Sequence, residues 1–286
     1  MDQKVIDLYD EFTHGGTSRR HFLDRLAVVA GGTVAALALL PVLENNYAFA
    51  QTITEGDSRL TTGKVDYDAA GTKMAGYLAR PAGGKKHPAV LVIHENRGLN
   101  PHIQDVARRL AVEGFLTLAP DMLSPAGGTP ADQAEAAKMM SALNAGETLA
   151  RLSATVPFLS RHAESTGKVG VVGFCWGGGL VNQLAAAGTS LNAGVSYYGM
   201  QLPAADVSKI SAPLLLHYAS LDQRINAGIE AYEAALKANN KTYEKYLYEG
   251  ANHAFNNDTN ATRYNKEAAT LAWTRTIAFL KKNLGS

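Results

Sequence analysis

The stretch Lys168-Val169-Gly170-Val171-Val172-Gly173-Phe174-Cys175-Trp176-Gly177-Gly178-Gly179 decides how the rest of the chain is read. Its first half is apolar and β-branched, as a buried strand should be, and its second half opens a helix. The only cysteine of the chain stands at the turn between them. This is the layout of a nucleophile elbow with Cys in place of Ser. Such a turn leaves no room for a Cβ two residues before or after its apex, and Gly173 and Gly177 occupy those two places. The first N–H groups of the following helix then point to the space beside the sulfur, where an oxyanion would develop. The alternative is a buried structural Cys beside a Gly-rich turn.

Working outward, strand-like and helix-like stretches alternate. Residues 64–67 and 74–79 read as a hairpin around Asp68-Ala69-Ala70-Gly71. Residues 89–95 form a continuous apolar run of the kind found in central parallel strands. Asn100 and Pro101 are a helix start, and Ile103, Val106, Ala107, Leu110 and Ala111 give that helix one apolar face. A strand over 115–119, helices over 131–143 and 147–162, and strands over 193–198, 213–218 and 242–248 complete the pattern. The last two strands are separated by a helix starting near Asn226, and a final helix carries Ala269, Trp273, Ile277 and Leu280. The expected class is α/β, a mostly parallel central sheet with helices on both faces.

In such a sheet, chemistry sits in loops at the carboxyl ends of strands. Cys175 follows the elbow strand, Asp222 follows the strand ending at Tyr218, and His253 follows the last strand. Nucleophile, acid, histidine is the order used by α/β-hydrolases. An ordinary thiol is mostly protonated at neutral pH and needs a base, here His253, with Asp222 fixing the imidazole tautomer. Taken singly, Asp222 reads as a loop or helix-cap residue and His253 as a solvent-facing loop residue. His217 reads as a satisfied core histidine. The oxyanion hole would be built from the N–H groups of Trp176 and Asn96. Glu95 has two readings: a carboxylate beside the thiol that disfavours the thiolate until substrate arrives, or a loop acid paired with Arg97.

The first fifty residues differ in character. Ser18-Arg19-Arg20-His21-Phe22-Leu23 resembles the twin-arginine export signal, a weakly hydrophobic run extends from Leu26 to Leu43, and Ala48-Phe49-Ala50 has the form of a cleavage site. The expected organisation is therefore a leader over 1–50, which includes His14 and His21, and a catalytic domain over 51–286. The twin-arginine machinery would be a partner and the product periplasmic or exported, with no stable membrane insertion after cleavage; retention as an anchor is the alternative. Of 27 Lys/Arg and 26 Asp/Glu, the first fifty residues hold four and six, so the net charge moves from +1 to +3 on cleavage. Nothing in this balance points to nucleic acid. One cysteine allows no intramolecular disulfide and no resolving partner for redox chemistry.

The elbow, Tyr197-Tyr198-Gly199, the Asp222 loop and Asn252-His253-Ala254-Phe255 together resemble the dienelactone hydrolases, or carboxymethylenebutenolidases, over roughly 60–284. The resemblance implies an α/β-hydrolase fold, a Cys-His-Asp triad without metal or cofactor, and hydrolysis of an activated ester or lactone through a thioester. It also matches Glu95 to an acidic residue that keeps the thiol at rest. One departure bears on substrate: family enzymes acting on dienelactone carry Ser after the histidine, where this chain has Ala254. Arg97 and Tyr198 are the candidate substrate contacts, with Arg151 and Arg161 as further arginines for a substrate carboxylate. A non-catalytic small-ligand-binding protein on the same fold is the competing reading.

Overall fold

The computed structural model describes residues 1–49 and 51–285. Eight strands form one sheet: β1 (Leu60–Ala69), β2 (Thr72–Pro81), β3 (His87–Ile93), β4 (Leu116–Asp121), β5 (Ser165–Phe174), β6 (Ala193–Tyr197), β7 (Leu214–Ala219) and β8 (Tyr243–Tyr248). Their spatial order is β1-β2-β4-β3-β5-β6-β7-β8, antiparallel at β1–β2 and β2–β4 and parallel from β4 onward. This is an α/β-hydrolase sheet. The chain leaves β3 to one side for β4 and returns to its other side as β5. The crevice beyond the carboxyl ends of β3 and β5 is therefore a topological switch point, where ligands of open α/β sheets bind.

The hairpin runs longer than the sequence pattern implies. Asp68 and Ala69 pair with Lys73 and Thr72, which leaves only Ala70 and Gly71 in the turn. Both have positive φ, 51° and 73°, and a two-residue turn of that kind keeps the twist of the flanking strands.

The helices are α1 (Gln3–Thr13), α2 (Arg19–Ala30), α3 (Thr33–Leu43), α4 (Pro101–Val112), α5 (Gln133–Ser141), α6 (Ala145–Ser160), α7 (Trp176–Ala186), α8 (Gln223–Asn226), α9 (Ile229–Ala238) and α10 (Lys266–Leu284). Side-chain caps set several starts: Asn100 accepts from the Ile103 N–H at 3.2 Å, Asp132 from Glu135 and Asn144 from Glu147. The helix expected from near Asn226 begins at Ile229 as α9, and the short α8 over Gln223–Asn226 precedes it. Two apolar cores, one on each sheet face, hold the layers together. Val90 and Val92 face α4 and α10, while Leu91 and Ile93 face α6 and α7.

Residues 1–43, read from sequence as part of a leader, form three helices with an apolar cluster of their own. Val5, Leu8, Tyr9, Phe22, Leu26, Ala36 and Leu43 are buried in it, and Phe12 stacks on Phe22 at 4.6 Å. Among the described residues no single helix is long and apolar enough to cross a membrane; α2 and the stretch from Thr33 to Phe49 pass only as a pair bent by 108°. The expected cleavage point follows Ala50, which lies outside the described residues.

Candidate active site

The elbow is strained where the chemistry would occur. Cys175 has φ 54° and ψ −114°, a conformation that side-chain-bearing residues rarely adopt. Packing enforces it. A Cβ on Gly173 would run into the Gly177 backbone, and one on Gly177 would overlap the carbonyl of Ile93 and sit 2.6 Å from that of His94. The Cys175 N–H donates to the Tyr197 carbonyl at 3.0 Å, which fixes the turn to the neighbouring strand. As the first residue of α7, Trp176 has an N–H that the helix cannot pair internally.

Asp222 and His253 meet beside it. His253 Nδ1 donates to Asp222 Oδ2 at 2.5 Å, with both residues buried. The other carboxylate oxygen, Oδ1, accepts from the Ile225 N–H at 3.2 Å and so caps α8. Asp222 is thus a cap and an imidazole partner at once; the sequence had offered these as alternatives. Among the described residues His253 Nε2 has no hydrogen-bond partner, and a ring nitrogen of His253 lies within 4.8 Å of Cys175 Sγ.

A second histidine reaches the thiol. His14, at the end of α1, places Nε2 3.1 Å from Cys175 Sγ. Its Nδ1 lies 2.7 Å from the Asp10 carbonyl and 3.3 Å from the Asp10 carboxylate, and its ring meets that of His253 edge-on at 4.7 Å. Burial opposes a charged sulfur, but the His14 and His253 charges outweigh it and bring the thiol down to about 6. Burial likewise opposes a charged His253; Asp10, then Asp222 and Cys175, overcome it and raise this histidine well above its ordinary value. The chemical result near neutral pH is a thiolate beside an imidazolium.

Glu95 is buried and accepts from Asn257 Nδ2 at 2.8 Å and from the Tyr198 hydroxyl at 3.5 Å. The expected alternative partner, Arg97, turns elsewhere: it donates to the Tyr9 hydroxyl at 3.0 Å and to the Gln133 carbonyl at 3.4 Å. Glu95 and Cys175 do border one narrow gap, together with His14, Ala254 and Arg263. The loop that carries Glu95 and Asn96 is set by His94. Its Nε2 accepts from the Met122 N–H at 3.3 Å, so Nδ1 carries the proton and donates to the Glu95 carbonyl at 2.7 Å. Burial lowers the His94 pKa, in keeping with a neutral ring, which stacks on Trp176. Asn96 Nδ2 donates to the Thr13 carbonyl at 2.7 Å.

A cavity of about 440 Å³ opens from Cys175, lined by His14, His253, Tyr198, Met140, Leu180 and Arg224 among others. Arg97 does not reach it, Arg151 is paired with Glu147, and Arg161 is exposed at the end of α6. Arg224, which the sequence reading passed over, is the arginine on this cavity. Two groups of side chains could hold a metal ion by closeness alone, His14–Cys175–His253 and Asp10–Asp222–His253. An acid–imidazole–thiol relay requires the same closeness. His217 is fully buried between the Tyr248 hydroxyl and Thr276, and plays no part at this site.

With this geometry in view, the comparisons are decisive for the family. The profile of the Dienelactone hydrolase family matches residues 74–284. The chain belongs to the dienelactone hydrolase family. A protein of Saccharolobus solfataricus named as a carboxymethylenebutenolidase is 34% identical over 255 residues, covering 77% of this chain and 98% of its own length. A Methylorubrum extorquens protein of the same name is 32% identical over 270 residues, covering 88% of this chain and 91% of its own. That share exceeds what residues 51–286 can supply, so the match takes in part of the N-terminal segment. Among solved structures, a dienelactone hydrolase from Klebsiella pneumoniae superposes with a TM-score of 0.71 at 30% identity, covering 78% of this chain and 99% of that one. A second profile, YqhI-like, matches residues 1–31. This dienelactone hydrolase family member is a hydrolase of the lactone and ester class.

What the sequence reading missed at this site is the contribution of α1. His14, Asp10 and Thr13 were set aside with the leader. The signal was present: Val5, Leu8, Tyr9 and Phe12 repeat at helical spacing, and Asp10 and His14 stand four apart on such a helix.

Proposed function

We propose that the chain hydrolyses activated esters or lactones through a thioester on Cys175. The Cys175 thiolate attacks the acyl carbon while the N–H groups of Trp176 and Asn96 face the oxyanion. The carbon–oxygen bond of the ester then breaks, and the leaving oxygen takes its proton from the His253 imidazolium. Water gives a proton back to His253, adds to the thioester and releases the acid, restoring the thiolate. Asp222 holds the His253 tautomer throughout. The observation that most supports this reading is the 2.5 Å bond from His253 Nδ1 to Asp222, with Nε2 left unpartnered in the cavity that opens onto the thiol.

Ala254 stands where a carboxylate-binding Ser would be in an enzyme acting on dienelactone, so the substrate class is proposed as lactone or activated ester without a required carboxylate. The lining of the cavity, in which Met140, Leu143 and Leu180 face Arg224, suits an acyl group with an apolar body. The test is turnover of an aryl ester and a panel of five-membered lactones by wild type, Cys175→Ala and His253→Ala, with mass spectrometry of the quenched enzyme. We expect both variants to lose at least about a thousand-fold in kcat and Cys175→Ala to carry no acyl adduct. Turnover at the wild-type level in either variant removes the mechanism.

A further inference from the structure

The contacts around Cys175 place a second acid–histidine pair on the nucleophile, and it comes from outside the family domain. Asp222–His253 approaches the thiol from the β7 and β8 loops, and Asp10–His14 approaches it from α1. The approach of α1 is built into the site rather than a glancing contact. The Thr13 carbonyl is held by the Asn96 side chain, Tyr9 is held by Arg97, and Gln3 Nε2 donates to Asn252 Oδ1 at 2.5 Å. The first two anchors are on the proposed oxyanion loop and the third is next to His253. The Asp10 carboxylate lies 3.6 Å from Arg263 and 3.7 Å from Arg224.

We infer that His14 is a catalytic residue of this hydrolase, contributed by the N-terminal segment, which holds the Cys175 thiolate and so leaves His253 Nε2 free for the leaving group and for water. The inference rests on the cysteine mechanism proposed above and divides its proton work between two imidazoles. His14 Nδ1 donates to the Asp10 carbonyl, so Nε2 is the ring nitrogen left for another partner, and the atom facing it is Sγ. No covalent step is added. The sulfur–carbon bond still forms and breaks as before, and the protons of the leaving group and of water still pass through His253. The arrangement leaves the cavity open, because His14 forms part of its wall beside Cys175, Trp176 and Tyr198. The charged and titratable groups facing His14 are Asp10 on its own helix, Cys175 at the elbow, His253 on the loop after β8 and, around the narrow gap, Glu95, Arg97 and Arg263; Arg224 and Arg263 also act on it through Asp10.

The experiment is the rate of Cys175 alkylation by iodoacetamide from pH 4.5 to 9.5 in the full-length chain, for wild type, His14→Ala and His14→Gln, with aryl-ester kcat and KM measured alongside. Mass spectrometry confirms that residues 1–50 are present. The expected result is a wild-type alkylation midpoint at about pH 6 that rises by a unit or more in both variants, and a roughly ten-fold or greater loss of kcat below pH 7. His14→Gln, which still fills the position, separates loss of the imidazole from loss of packing. Superimposable alkylation profiles overturn the inference while leaving the Cys175 mechanism standing. A gain in kcat/KM in His14→Ala also overturns it and makes α1 an inhibitory plug. So does a fully active native protein that begins at Gln51, the outcome that twin-arginine export with cleavage after Ala50 requires. If Cys175→Ala retains turnover, the underlying mechanism fails instead.

Discussion

His253 donates from Nδ1 to Asp222 Oδ2 at 2.5 Å, while Asp222 Oδ1 receives the Ile225 N–H at the start of α8. One carboxylate therefore orients the imidazole and terminates a helix. The two duties depend on different properties: orientation needs charge and an acceptor, whereas capping needs only an acceptor.

Substitution separates them. Asp222→Asn keeps a good cap but presents an amide to a ring that needs a carboxylate, so kcat should fall on the order of a thousand-fold or more with little change in Tm. Asp222→Ala should lose the same activity and, in addition, about 1 kcal/mol of stability from the lost cap. Thermal melts and aryl-ester kinetics on the two variants check this. Equal stability of the two would mean that the cap contributes nothing.

The glycines after the nucleophile should respond in opposite directions. Gly177→Ala puts a methyl against the Ile93 and His94 carbonyls, buried backbone at the end of the central strand β3 and just after it, which cannot move aside. It should cost at least about 3 kcal/mol or abolish folding. Gly179 lies in α7 two residues further, where a Cβ would meet Met200 at an ordinary 3.5 Å. Gly179→Ala should be neutral or stabilise by up to about 1 kcal/mol, since Ala is the better helix former. Urea titrations of the purified variants give the comparison.

These two glycines also show what was legible in the sequence. The elbow, the strand alternation and the order of Cys175, Asp222 and His253 could be read because local rules act there: a tight turn excludes Cβ atoms, and parallel strands repeat as apolar runs. Glu95 could be located on its loop, but its partner could not, because Asn257 lies 162 positions away and reaches it only through the fold. His14 was further out of reach. The Arg19-Arg20 motif, the apolar run after it and Ala48-Phe49-Ala50 make residues 1–50 resemble a leader, and nothing local says that Tyr9 will meet Arg97 or that Thr13 will meet Asn96. Docking of one helix on a distant loop is a tertiary property that hydrophobic periodicity does not encode.

Away from the site, Asp105 ties α4 to the chain just before β1. It is fully buried, accepts from the Thr52 and Ile53 N–H groups at 3.2 and 2.8 Å, and pairs with Arg108 and Arg109. Asp105→Ala leaves two guanidinium groups and two N–H groups short of their acceptor, a loss of about 3–5 kcal/mol. We expect a lower Tm, with kcat at 25 °C unchanged per folded molecule, because none of these groups borders the catalytic cavity. A fall in kcat matching the fall in Tm would show that the two regions are coupled.

His217 supplies the acid sensitivity of the core. Its ring is fully buried, with Nδ1 2.9 Å from the Tyr248 hydroxyl and Nε2 3.1 Å from Thr276 Oγ1. Burial first, and then the nearby Arg275 charge, push its pKa down to about 3. The unfolded chain binds a proton at His217 below about pH 6.5, and the folded chain does not until about pH 3, so the unfolded state gains as pH falls through that window. Unfolding free energy should therefore drop by up to about 1.4 kcal/mol per pH unit from this residue alone, or about 2–3 kcal/mol between pH 7 and pH 4.5. His217→Gln keeps a polar side chain that can serve both hydroxyls and has no proton to take up. Its stability should be lower than wild type at pH 7 and should decline less steeply toward pH 4.5. Denaturant melts at four pH values measure both slopes, and parallel slopes would assign the acid sensitivity to other groups.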